Sequence, residues 1–183
     1  MFDHPRVEKA KWAKIPVGLV AFGSLGYALV MVACYPWRFG VPLAVSGAGW
    51  AFTGLFTLLF LYSVFIEVPF RQSYLGSKNE PRLVSSGTYA MTRHPGVLWA
   101  AFGLLGLIIA TGSKLLLIAS PIWIAMDAAW AYVEDRFYFP RTLPGYAEYV
   151  TRVPMLIPTW SSLKSALGTL LRRVGEAEEE LHG

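Results

Sequence analysis

The chain has 183 residues, of which 55% are hydrophobic and only 15% charged, and its mean hydropathy is +0.45. Soluble domains are nearer a quarter charged, so this composition excludes an ordinary soluble globular protein and points to a one-domain, all-α integral membrane protein. The net charge of +4 calls for no nucleic-acid partner, and a lone cysteine, Cys34, excludes an internal disulfide or a multi-cysteine metal site.

In chain order, Met1 to Lys14 is charged and precedes an apolar run from about Ile15 to Tyr35. No small-residue cleavage site follows, so the run reads as an uncleaved first span rather than a signal peptide. Tyr35-Pro36-Trp37-Arg38 is a tight polar turn with interfacial aromatics. A second run from about Val41 to Ile66 is also long enough to cross a hydrocarbon core of roughly 30 Å. A third, from about Pro95 to Ala110, opens on a proline that suits a helix's first turn. Thr111-Gly112-Ser113-Lys114 then turns the chain into a fourth run, from about Leu115 to Val133. So brief a turn predicts that runs three and four form a helical hairpin.

Basic residues set the expected orientation. Arg6, Lys9, Lys11 and Lys14 precede the first run. Arg71, Lys78, Arg82 and Arg93 follow the second, and Arg136, Arg141, Arg152, Lys164, Arg172 and Arg173 follow the fourth. The opposite loops carry only Arg38 and Lys114. This asymmetry predicts about four crossings with both termini in the cytosol. In the tail, Leu163, Ala166, Leu167, Leu170, Leu171 and Val174 recur at helical spacing, which predicts a surface-lying amphipathic helix. The expected division is a membrane-embedded domain over residues 1–158 and an amphipathic helix with an acidic tail over 159–183.

This topology gathers Arg93, His94, Glu134, Asp135 and Arg136 at one membrane face. The hairpin leaves that face after Pro95 and returns to it near Val133, so Glu134 should lie near His94. Ionisable groups gathered beside lipid are functional candidates, but Arg93 and Arg136 also read as interfacial anchors with the acids as surface partners. Asp127, inside the fourth run, costs about 2.5–3.5 kcal/mol on insertion scales. It either lines the same cavity or bonds another helix through Ser24, Ser46, Thr53 or Thr57. Tyr146 and Tyr149, three apart, share a helix face, which serves packing as readily as a site.

The stretch Leu83-Val84-Ser85-Ser86-Gly87-Thr88-Tyr89-Ala90-Met91-Thr92-Arg93-His94-Pro95 resembles the entry motif of the isoprenylcysteine carboxyl methyltransferase and phospholipid methyltransferase superfamily. The family pattern continues with a membrane hairpin, paired acids, a Tyr-x-x-Tyr and a Val-Pro with a later Pro. Here these are Glu134-Asp135, Tyr146 and Tyr149, Val153-Pro154 and Pro158. The motif region spans residues 83–158, roughly two-fifths of the chain.

The resemblance implies a methyltransferase that uses S-adenosylmethionine. It also implies a cytosolic cofactor pocket closed by the hairpin and a covering C-terminal segment, and a lipophilic acceptor reaching it from the bilayer. It implies Arg93, His94, Pro95, Glu134, Asp135, Tyr146 and Tyr149 as cofactor-site residues, with Glu134 and Arg93 closest to the chemistry. A cation or imidazole suits the cofactor's carboxylate, and an acid suits its ammonium. Departures are Asp135 where Glu is usual, Val97 and Trp99 where Tyr and Gly are common, and Thr142-Leu143 where Phe-Gly is common. Asp135 would keep the charge but lose reach.

Two other readings stand beside this one. The same broad group includes nicotinamide-dependent membrane reductases of sterol-like substrates. A non-enzymatic transporter or assembly factor would instead rely on Asp127 as an intramembrane charge.

Overall fold

The computed structural model describes residue 20, residues 23–68 and residues 83–182, with side chains as far as residue 172. The basic N-terminus, the first part of the expected first span, and Arg71, Lys78 and Arg82 lie outside the described residues. Where described, the chain is helical, and its only bridge is an isolated one between Arg38 and Ser113.

Helix α1 covers Gly23–Cys34. Helix α2, Leu43–Leu61, begins just after Pro42 and runs on through a wide π-helical turn, Tyr62–Glu67. After a four-residue helix, α3 (Thr88–Met91), comes α4, Pro95–Thr111, with its proline in the first turn. Gly112, in the left-handed region at φ 65°, ends α4 by sending its N–H back to Ile108, the usual glycine stop. Ser113 caps α5, Lys114–Val133, by accepting from the Leu116 N–H. Helix α5 also passes into a π-helical turn, Glu134–Tyr138, and then into α6, Phe139–Thr142. The short α7, Tyr146–Arg152, and the long α8, Trp160–His182, complete the order.

Two continuous helical stretches, Leu43–Glu67 and Lys114–Thr142, are long and apolar enough to cross a membrane. Gly23–Cys34 and Pro95–Thr111 are shorter apolar helices. The expected hairpin is present, with α4 and α5 packed together, and α2 lies along α4. That second contact is close because it lacks side chains. A Cβ on Gly49 would fall 2.5 Å from the Ala110 backbone nitrogen, and one on Gly106 would fall 2.7 Å from Thr53 Oγ1. Ser46 donates to the Ala110 carbonyl at 2.7 Å across the same seam. Small residues and interhelical hydroxyls are how helices associate where lipid supplies no hydrophobic drive. Leu55, Leu58, Ile118, Ile122 and Met126 point outward and exposed, as lipid-facing positions do.

Asp127 lies exposed on α5. Two of the hydroxyls considered as its partners are used elsewhere: Ser46 as above, and Thr53 on the Gly49 carbonyl at 2.9 Å.

Candidate functional site

The charged end of the helix bundle is built around two π-helical turns. An extra residue in a helical turn re-aims the side chains that follow it, and such turns are frequent at functional sites. The turn ending α2 carries Ser63 and Glu67, and the turn ending α5 carries Asp135.

Glu67 is 7% exposed. Both carboxylate oxygens accept from the Thr88 backbone N–H, at 3.1 and 3.0 Å, and Oε2 also accepts from the Thr88 hydroxyl. Ser63 Oγ lies 2.9 Å from Thr88 Oγ1 and accepts from Trp99 Nε1 at 2.9 Å. Gly87 sits against this carboxylate at φ 64°. A Cβ there would fall 1.7 Å from Glu67 Oε1, so both space and backbone conformation require glycine. Trp99 therefore supplies an N–H to the junction.

Beyond α3 the chain is held in extended form. Arg93 N–H donates to Pro154 O at 2.9 Å and His94 N–H to Met155 O at 3.2 Å, while Thr92 Oγ1 donates to Met155 O at 2.7 Å. The Val153-Pro154 segment thus lies directly against the Arg93-His94 pair. Tyr149, from α7, donates its hydroxyl to the Tyr89 carbonyl at 2.6 Å.

Asp135 is the centre of the cluster, at 13% side-chain exposure. Its Oδ2 lies 2.9 Å from Arg93 Nη1 and its Oδ1 lies 3.5 Å from His94 Nε2. Tyr146 donates its hydroxyl to Oδ1. Despite its shorter side chain, Asp135 reaches Arg93 from within the π turn. His94 stacks on Phe139 with ring centroids 5.8 Å apart, and Phe139 lies 5.4 Å from the Tyr146 ring. Pro95 is buried at the start of α4.

Several donors in this cluster are left over. Arg93 Nε, Arg93 Nη1 and His94 Nε2 are buried with no hydrogen-bond partner. Nη1 forms an ion pair with Asp135 and Nε2 lies 3.5 Å from the same carboxylate, so Arg93 Nε is the donor with no counterpart at all. Buried polar groups are nearly always satisfied, so orphaned donors call for a cause. Burial lowers the His94 pKa below its ordinary value, with Asp135 opposing that shift. Burial also raises both the Tyr146 and the Tyr149 phenols, which keeps them as protonated donors.

Glu134 does not join the cluster. It is half-buried one residue before Asp135 and accepts from Trp130 Nε1 at 2.9 Å on the outer side of α5. Arg136 is exposed. A cavity of about 470 Å³ lies on another side of Tyr149, lined by Leu83, Arg152, Ser161, Ser162 and Ser165. Arg93, His94 and Asp135 do not line it.

Glu67, Ser63 and Thr88 were not singled out from the sequence. Glu67 stands at the end of an apolar run, where an acid reads as a span boundary. Its one signal is a Gly-Thr at the start of a short helix, which needs an acceptor for its N–H groups.

Residues 42–139 match the phospholipid methyltransferase family. The chain belongs to that family. The match takes in α2, α4, α5 and the Arg93–Asp135 pair, and ends before Tyr146 and Tyr149. No curated protein and no solved structure matches the chain. Family membership and the two apolar helices together make this a membrane protein of a methyltransferase family.

Proposed function

We propose that this protein is an S-adenosylmethionine-dependent methyltransferase that methylates a lipophilic acceptor held in the membrane. The single observation carrying this reading is the orphaned donor set on Arg93 and His94. A buried donor without a partner costs about 1–3 kcal/mol, and a carboxylate placed against Arg93 Nε and His94 Nε2 would remove that cost. The cofactor has such a carboxylate, so the residues fit it.

Arg93 and His94 would hold the carboxylate, and Asp135 would face the ammonium group. Tyr146 fixes Asp135, and Tyr149 with the Pro154 segment covers the cluster and excludes water. The bound cofactor supplies an activated methyl group, so the chain mainly orients the partners and keeps the site dry. Glu134, bonded to Trp130 on the outer side of α5, would meet an acceptor arriving from lipid. An amine or thiol acceptor must lose a proton, which Glu134 or Asp135 can take. A carboxylate acceptor needs no base. The basic residues favour four crossings, with the site and both termini in the cytosol.

Calorimetric titration with S-adenosylhomocysteine tests the reading. Saturable binding to the wild type is expected, lost in Arg93→Ala and Asp135→Asn. Glu134→Gln should keep that binding and slow turnover. A folded wild-type protein that binds nothing, in detergent and in lipid alike, would overturn the proposal.

A further inference from the structure

Helix α8 uses two faces differently. Its inner face is spent on the protein. Ser162 and Ala166 are buried, Ala166 clusters with Ala90 and Met91, and Leu98 and Trp99 pack against that cluster. Thr169 Oγ1 accepts from the Gly87 N–H at 3.0 Å. The outer face presents Trp160, Leu163, Leu167 and Leu171, all exposed, at the three- and four-residue spacing of one helical stripe.

Depth decides what covers that stripe. Leu98 and Trp99 lie about one turn into α4, roughly 5 Å beyond its start. The cluster that holds α8 therefore meets the first turn of an apolar membrane helix. Lys164 Nζ stands 5.6 Å from the centroid of the Trp160 ring. A snorkelling lysine beside an amphipathic ring suits the headgroup level of a bilayer. Four large apolar side chains in one stripe do not suit water.

We propose that α8 lies in the plane of the bilayer interface, with Trp160, Leu163, Leu167 and Leu171 in lipid and Lys164 at the phosphates. The bilayer then backs the Gly87 loop through Thr169 and Ala166. This holds whether or not the methyltransferase reading does.

The test uses the full chain carrying Cys34→Ala in phosphatidylcholine vesicles, spin-labelled at Leu167→Cys or at Ser165→Cys. Ser165 is exposed on another side of the same helix. The label at 167 should collide several-fold more with oxygen, which concentrates in lipid, and several-fold less with a water-soluble nickel chelate than the label at 165. As a second measurement, brominated phosphatidylcholine should quench the emission lost in Trp160→Phe. Equal chelate access at both positions, with no bromolipid quenching, would overturn the proposal in favour of a solvated helix. Spin–spin broadening at 167 between copies would overturn it in favour of a dimer face.

Discussion

The helices are joined in two regions, the α2–α4 seam and the charged end, by opposite means. Along the middle of the pair, Gly49 and Gly106 let backbones touch, and the hydroxyls of Ser46 and Thr53 are satisfied on carbonyls. At the charged end the flanking segments hold buried charge: Glu67, in the turn after α2, on Thr88 of α3, and Arg93, just before α4, on Asp135 in the turn after α5. The middle seam holds by close packing. The charged end holds by polar bonds, and there the two carboxylates differ. Glu67 meets aligned N–H and O–H donors, whereas Asp135 faces donors that remain partly unspent.

This contrast can be broken by substitution. The largest effect is expected from Asp135→Asn, which leaves the Arg93 guanidinium buried without its counter-charge. Breaking a buried pair from one side costs about 3–5 kcal/mol, readable as a lowered unfolding midpoint of the solubilised protein. Glu67→Ala strands the Thr88 N–H and should cost about 1–3 kcal/mol. It should also weaken S-adenosylhomocysteine binding, because the Gly87 turn leads directly to Arg93. Gly106→Val overfills the middle seam and should cost about 1–3 kcal/mol, yet leave that binding intact in whatever protein remains folded. Equal losses of binding in both variants would show that the two contacts are one cooperative unit. The smallest effect concerns pH. Burial holds the His94 pKa below its ordinary value, so the unfolded chain takes up protons first on acidification. Stability is therefore expected to be flat above about pH 7 and to fall below about pH 6.5, through the lowered folded pKa. His94→Gln should shrink that limb in a pH series of unfolding midpoints.

Much of this was legible in the sequence because lipid leaves few options. Pro95, Gly112 and Ser113 mark the ends of α4 and α5 by their own backbone chemistry, and the hairpin follows from the short turn between them. Arg93, His94, Asp135 and Tyr146 were named together, and the structure brings them together. Glu134 was named with them and stands apart. Adjacent residues on a helix point in different directions, and a π turn, invisible to a 3.6-residue period, decides which acid faces inward. Glu67 was missed for a related reason. Its partner Thr88 lies twenty-one residues on, and no local pattern links them.

The far end of the bundle has its own consequence. There the loop after α1 is pinned to the α4–α5 turn by backbone bonds, Phe39 N–H to Gly112 O at 2.9 Å and Lys114 N–H to Trp37 O at 3.0 Å. Ser113 Oγ adds a bond to Val32 O at 2.9 Å. Helices riveted together at one end behave like the legs of tweezers: they spread, when they spread, at the other. The rivet is therefore a fulcrum, and any spreading of the helices is expected to be greatest beside the charged cluster.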